Sequence, residues 1–390
     1  MRAERLAVAT LFFLNGAVLA SWFAHIPAVK ARHGASDAQL GLVLLAMAVG
    51  AMIALPLAGW LIGRFGSRTV TRVSASAFCL ALPLPVLSPS LPLLALALVL
   101  LGACNGLLDV AMNTQAARVE RRYGRALMSS FHALFSVGGV AGASLAGAAM
   151  AAGIGDRTHV LSVSVVALAA AGLALPRLVP SEPDDERTGP VFVRPSGALL
   201  GLGALAFLGL LAEGAMGDWS AVYLHDTLAA PPGVSAAGFA AFSLAMAAGR
   251  FAGDRLVDGF GARTVVRVSS AAAATGLAAA LLVGDPAAAV VGFGLVGLGI
   301  ANVIPVLFGA ATRVPGTEAG RGLAAVATTG YLGFLTGPPL IGVVAHAIGL
   351  GPALGLVSAG CALIAIGAGA LSTPGLGRDN VVVPPADPSR

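Results

Sequence analysis

The sequence predicts an all-α membrane protein whose twelve transmembrane helices form two pseudo-symmetric six-helix bundles. Three observations indicate this fold: the composition is too apolar for a surface that faces water, apolar runs of spanning length recur along the chain, and the second half repeats the first. Hydrophobic residues make up 57% and charged residues 11% of the 390 positions. A soluble domain carries about 25% charged residues, so lipid must face most of this surface.

The apolar runs define twelve spans, each near the roughly 20 residues that cross a bilayer. They lie near residues 6–28, 38–62, 70–88, 91–115, 127–152, 158–178, 197–225, 234–257, 264–283, 286–311, 321–346 and 350–372. The first run lies where a signal peptide would lie. We interpret it as a helix, because it is long enough to span and has a counterpart in the second half.

The distribution of positive charge indicates the orientation. With the N-terminus in the cytoplasm, 20 of the 23 Lys and Arg residues fall on the cytoplasmic side, and Lys30, Arg32 and Arg157 fall on the other. Cytoplasmic loops are normally enriched in these residues. We therefore expect a multi-pass protein of the cell (inner) membrane with both termini in the cytoplasm. The net charge of +5 fits this role, and the chain has no basic domain to bind nucleic acid.

The domain organisation follows from the spans and from the composition between them. We predict an N-terminal bundle over residues 1–178, a cytoplasmic linker over 179–196, a C-terminal bundle over 197–372 and a disordered cytoplasmic tail over 373–390. The linker is polar, acidic and rich in proline, which is typical of an extended connection. The tail has few apolar residues that could pack.

The two halves align when the chain is shifted against itself by about 195 residues. Residues 59–68 then lie over residues 254–263, and Gly102 lies over Gly297. Single matches of glycine carry little information in a chain with 52 glycines. The matches nevertheless keep their order across six spans, which indicates duplicated halves.

The loop after the second span of each half resembles the signature Gly-x-Leu-x-Asp-Arg-x-Gly-x-(Arg/Lys) of the major facilitator superfamily. The first copy has Arg64 and Arg68 but a glycine in place of the aspartate; the second has Asp258 but a glycine in place of the arginine, and Asp254 in place of the first glycine. The resemblance covers the chain apart from its tail. It implies a gating role for these four residues, and we expect Pro338 to bend the eleventh span during gating.

A narrower resemblance concerns residues 109–113, 129–132 and 213–220, which are similar to a bacterial branch near the sugar–proton symporters such as fucose permease. It implies proton-coupled transport of a small polar metabolite, such as a sugar or a cyclitol, by rocking of the two halves. Residues 138–142 lack the Gly-Pro pair that is usual in proton-driven drug exporters of the superfamily. This absence weighs against drug export.

Ionisable groups inside a bilayer are costly and usually mark a functional site. Asp109 lies on the fourth span with Asn105 and Asn113 four residues to either side, so the three side chains share one face of a helix. The stripe predicts substrate binding by the asparagines, with Asp109 as a proton carrier. The alternative is a structural network that ties the fourth span to the first or the fifth.

Two further residues are candidates for proton coupling. Glu213 lies near the middle of the seventh span, with no arginine expected nearby, and could load and release a proton as water access alternates. His132 on the fifth span should lie at the depth of Asp109 and could relay a proton with it. The alternative for each is a hydrogen-bonded structural role. Arg250 and Asp254, one helical turn apart, are expected to form an ion pair with each other on the cytoplasmic side.

The remaining candidates are predicted to line a cavity between the halves. They are Asn15, Trp22, His25, Asp218, Trp219 and Asn302. An interfacial anchor is the alternative for the tryptophans and for Asp218. Asn302 precedes Pro305, which could kink the tenth span, and packing alone is an equal alternative there.

The sequence indicates no enzyme, metal or cofactor. It has no phosphate-binding Gly-x-x-x-x-Gly-Lys-(Ser/Thr) loop, no cluster of metal ligands and no paired nucleophile and base. The predicted partners are therefore a small-molecule substrate, protons and the lipid bilayer, and no signal for an oligomeric state is present. Two alternatives stay open: an exporter of drugs or metabolites, which an aromatic cavity would favour, and a non-transporting receptor or enzyme, which a dry interface between the halves would favour.

Overall fold

The computed structural model describes residues 2–124, 127–180, 198–315 and 319–372, and within these ranges the regular structure is helical, with no strand. The helices are α1 (Arg2–His33), α2 (Asp37–Ala81), α3 (Pro83–Leu87), α4 (Leu91–Tyr123), α5 (Met128–Ala151), α6 (Asp156–Ala174), α7 (Ala198–Val222), α8 (Pro232–Ser235), α9 (Ala237–Phe260), α10 (Ala262–Val283), α11 (Pro286–Ile300), α12 (Val303–Ala311), α13 (Ala319–Ile348) and α14 (Leu350–Gly367).

The prediction of twelve spans is confirmed, although two spans share one helix. Among the described residues, eleven helical stretches are long and apolar enough to cross a membrane, and the stretch Asp37–Leu87 is 51 residues long. It contains two crossings, because Gly66 (φ 76°, ψ 149°) interrupts the helical backbone of α2. Gly261, 195 positions later, has nearly the same conformation (φ 80°, ψ 146°) and separates α9 from α10. Both need glycine, since φ is positive.

The predicted boundaries differ in detail from the observed ones. The third span, predicted over residues 70–88, consists of the end of α2 followed by the short helix α3. The tenth span is divided into α11 and α12, with Asn302 (φ −102°, ψ −2°) between them, so the break expected near Pro305 is present. Most of the predicted linker and the whole predicted tail lie outside the described residues, and the domain boundaries stay a prediction.

The two halves use the same helix pairs. In the first half α1 packs on α5 and α2 packs on α4; in the second half α7 packs on α13 and α9 packs on α11. A Cβ atom at Gly102 would overlap the main-chain oxygen of Met47, and one at Gly297 would overlap that of Phe242. Both residues of the second contact lie 195 positions after those of the first, so the sequence repeat is also present in the helix packing. Small residues allow such close approach between membrane helices.

Contacts between the halves close one side of the protein. We call the side where α1 begins the near side and the side where it ends the far side. On the far side, a Cβ atom at Gly41 of α2 would lie 2.6 Å from the oxygen of Pro338 in α13. Gly147 of α5 meets Gly233 of α8 equally closely, since a Cβ atom on Gly147 would lie 2.8 Å from the oxygen of Gly233. The main chains therefore touch directly, with no room for a channel at these points.

Candidate functional site

The polar stripe of α4 is joined to α1 at Asn105. Asn15 Nδ2 donates to Asn105 Oδ1 at 2.9 Å, which joins the first and fourth spans as the network alternative proposed. Further along α4, Asn113 Nδ2 donates to the Asp109 carboxylate at 3.1 Å and to the Asp109 main-chain oxygen at 2.8 Å. One amide side chain is thus used between helices, and the other supports the carboxylate.

His132 does not contact Asp109. Its ring packs edge-to-face with that of Phe12 at a centroid distance of 5.2 Å. It also lies close enough to Arg250 for an electrostatic interaction. No direct Asp109–His132 contact is present in this conformation, and a proton relay between the two residues stays a prediction. The two residues were expected to lie together because they are at equal depth on their spans, but depth says nothing about the rotation of each helix around its axis.

Glu213 has an arginine beside it, contrary to the prediction. Arg250 Nη2 lies 3.7 Å from Glu213 Oε1, and Arg250 Nη1 donates to Ser136 Oγ at 3.2 Å. The predicted Arg250–Asp254 pair is also wrong. Arg250 points between the helices, whereas Asp254 is exposed at the end of α9. The arginine thus links α9 to α7 within the second half and to α5 of the first half.

Tyr331 is a site residue that the sequence analysis missed. It lies on α13, partly buried, within electrostatic reach of both Asp109 and Glu213. The signal for it was present, because the chain has only three tyrosines and this one interrupts an apolar span. The charged and polar groups of α4, α5, α7, α9 and α13 consequently approach each other from both halves.

The aromatic candidates are more enclosed than a cavity lining would be. Trp22 is 1% exposed and Trp219 is 0% exposed, and their indole nitrogens have no hydrogen-bond partner among the described residues. His25 is also buried; its Nδ1 lies 2.7 Å from the Ser21 oxygen, and its ring stacks on His159 at 5.0 Å. A role of these three residues in substrate binding stays a prediction.

Asp218 and Asn302 differ in their partners. Asp218 is partly buried and has no hydrogen-bond or ion-pair partner within the described part of the chain. Asn302 Nδ2 donates to the Gly249 oxygen at 3.1 Å, so this side chain bridges the break between α11 and α12 to α9. That bond supports the packing interpretation of Asn302.

The predicted gating residues lie on both sides of the protein. Arg64 stacks over Trp60 at 5.9 Å and over Phe65 at 5.5 Å, and Arg68 donates to the Pro176 oxygen at 2.8 Å. Asp254 and Asp258 are exposed at the end of α9 on the near side. Pro338 lies inside α13, at the far-side contact with Gly41.

No group of three or more His, Cys, Asp and Glu side chains is placed to hold a metal ion in the part of the chain that the structure describes. The family model of the Major Facilitator Superfamily matches residues 8–338. The chain belongs to the major facilitator superfamily. Its members are transporters and not enzymes, so the protein is an integral membrane transporter.

Relatives of similar length support this assignment. The chain is 40% identical over 359 residues to an uncharacterized MFS-type transporter of Yersinia pestis, a match that covers 91% of this chain and 92% of that one. It is 39% identical over 352 residues to the membrane protein MosC of Rhizobium meliloti, covering 89% of this chain and 85% of that one. Neither name states a substrate.

Solved structures of superfamily members have the same fold. The D-xylose–proton symporter matches with a TM-score of 0.74 at 15% identity, over 94% of this chain and 96% of that one. The nucleoside transporter NupG matches with a TM-score of 0.71 at 15% identity, over 95% of this chain and 99% of that one. At such low identity these matches establish the fold of the chain alone.

Proposed function

We propose that this transporter moves a small polar metabolite, such as a sugar or a cyclitol, by proton-coupled alternating access, as the fucose-permease-like symporters do. The observation that carries the proposal is the polar network between the halves. It contains two carboxylates, Asp109 and Glu213, together with Arg250 and Tyr331. Such a set provides hydrogen bonds for a polar solute and groups that can bind protons, whereas a drug exporter would be expected to have a more aromatic and apolar lining.

The conformation supports an alternating-access mechanism. The halves touch on the far side through Gly41, Gly147 and their partners. This arrangement fits a state in which the far side is closed. We place the near side in the cytoplasm, because most of the Lys and Arg residues lie there.

Proton coupling is assigned to the two carboxylates. Asp109 belongs to the first half and Glu213 to the second, and Tyr331 lies within reach of both. A rocking motion changes the water access of both acids at the same time. Loading a proton on one side and releasing it on the other would then tie proton movement to that of the substrate.

Thermal stabilisation of the purified protein by a panel of sugars, cyclitols and cationic drugs tests this proposal. A ligand that binds one conformation raises the melting temperature by mass action. We expect stabilisation by a polar ligand that is altered in Glu213→Gln or Asp109→Asn, and ligand-dependent proton uptake in proteoliposomes that is lost in both variants. The control is Asp285→Asn, because asparagine retains the cap that Asp285 provides for Ala287 N and Ala288 N.

Two results would contradict parts of the proposal. Stabilisation by cationic drugs alone would replace the polar substrate with a drug. Polar binding that is unchanged in both variants, without proton uptake, would remove coupling through these acids and leave transport standing.

A further inference from the structure

The guanidinium group of Arg250 has more N–H donors than there are acceptor atoms bonded to it. Its guanidinium group carries five N–H donors, and its one hydrogen bond among the described residues goes to Ser136 Oγ at 3.2 Å. The distance of 3.7 Å to Glu213 Oε1 is too long for a hydrogen bond. Because the Arg250 side chain is 16% exposed, its remaining donors are open to a solute that enters between the helices.

A carboxylate on the substrate would satisfy these donors better than Glu213 does. Arginine presents a planar fork that binds a carboxylate through two parallel hydrogen bonds. A cation this enclosed needs an anion beside it, because an unpaired charge away from water is strongly destabilising. Glu213 meets that need at long range in the present state, at 3.7 Å.

The charges around Arg250 determine when a substrate carboxylate can replace Glu213. Glu213 approaches from α7 and His132 from α5, and Tyr331 of α13 lies within electrostatic reach of Glu213 and of Asp109 on α4. Two carboxylates and one arginine already leave negative charge in excess. A third carboxylate therefore requires one acid to be neutralised, and Glu213 is the acid that lies beside the same arginine.

We propose that the substrate is a polar carboxylic acid, such as a sugar acid, whose carboxylate binds Arg250 in place of Glu213 while Glu213 takes up one proton. This inference rests on the proposed function and names its substrate class. Substrate and proton then enter together with no net change in charge, and leave together when Glu213 loses its proton and returns to Arg250.

Matched pairs of ligands test the inference. Gluconate and glucuronate are compared with sorbitol, glucose and glucosamine for stabilisation of the purified, reconstituted full chain at several pH values. We expect the two acids to stabilise the protein and the neutral and cationic analogues to do so weakly. In Arg250→Met, acid binding should fall on the order of tenfold to a hundredfold, the range for hydrogen bonds between charged partners. Arg250→Lys should give an intermediate loss, because the charge stays and the fork is lost.

Glu213→Gln separates this mechanism from a general effect of charge. It removes the competitor, so acid binding should become tighter and lose its dependence on pH. The control is Arg255→Met, which removes an exposed arginine of the same helix and should leave binding unchanged.

Two results would overturn the inference in different ways. Binding of neutral sugars that is equal in wild type and Arg250→Met would overturn it and leave the proposed function standing. Binding of cationic drugs in place of both sugars and sugar acids would overturn both.

Discussion

Lys30 joins the two halves of the protein through Asp226. The Lys30 Nζ atom lies 2.5 Å from Asp226 Oδ2 at the end of the seventh span, and 2.6 Å from Asp37 Oδ1 at the start of α2. The Lys30 side chain is only 14% exposed. One ammonium group is thus held by one carboxylate of its own half and one of the other half, on the side that is closed.

Replacing Lys30 with methionine should favour opening on the far side, because Asp37 and Asp226 would lose the ammonium group that holds them together. The measurement is labelling of a cysteine at Ala236, which is 1% exposed, by a membrane-impermeant maleimide, in a background without Cys79, Cys104 and Cys361. We expect labelling to accelerate several-fold, which corresponds to about 1 kcal/mol for a partly exposed pair.

Arg32→Met is the control for that experiment. Arg32 lies on the same end of α1, but its bonds to described residues stay within the first half, to the Val86 oxygen and to Asp156. Equal acceleration in both variants would show that loss of charge at this end of α1, rather than the link to Asp226, opens the protein.

Gly41→Ala should destabilise the closed far side. The added Cβ atom would lie 2.6 Å from the Pro338 oxygen and 3.1 Å from Gly342 Cα, and such overpacking costs about 1–3 kcal/mol. We expect a lower melting temperature and faster labelling at the far side. Gly172→Ala, also within a helix and with open space around it, should be neutral or slightly stabilising. A Gly41→Ala protein that behaves like Gly172→Ala would show that the contact is not close in the membrane.

The hydrogen bond between Asn15 and Asn105 should couple the first and fourth spans. A double-mutant cycle with alanine at both positions is expected to give a coupling free energy of about 0.6 kcal/mol, with an upper bound near 1.7 kcal/mol. Asn15 combined with Asn113 is the comparison, because Asn113 bonds within α4. Additive effects for Asn15 and Asn105 would contradict a bond between them.

Tyr331→Phe should impair transport more than stability. The hydroxyl group is lost, the ring is kept, and the remaining group no longer offers a proton or a hydrogen bond near Asp109 and Glu213. We expect transport in proteoliposomes to fall on the order of tenfold, with a melting temperature close to that of the wild type. A variant that loses stability and transport in parallel would assign Tyr331 a packing role.

The repeat made much of the fold predictable from sequence. The offset of 195 residues placed the two signature loops over each other, and Gly66 and Gly261 have matching backbone angles for that reason. The break near Asn302 followed from a proline within a span. These features depend on residues close together in the chain, or on a pattern that occurs twice.

The partners within the site were less predictable. A spacing of four residues suggested Asp254 as the partner of Arg250, whereas the observed partners, Glu213 and Ser136, come from two other helices. Helix rotation and tilt decide such contacts, and an apolar span carries little periodic signal for rotation, because lipid-facing and core-facing positions are both apolar. The sequence argument could not single out Tyr331, because that argument rests on the cost of charged groups inside a bilayer and Tyr331 is neutral.

The contacts of Gly102 with Met47 and of Gly297 with Phe242 have a consequence for how far related sequences can diverge. In each pair the atom touched is a main-chain oxygen, which every amino acid supplies. Methionine and phenylalanine can therefore occupy equivalent places without disturbing the contact, provided that the facing glycine is kept. The two copies of an ancestral half could accumulate substitutions in this way while their helices stayed in the same register.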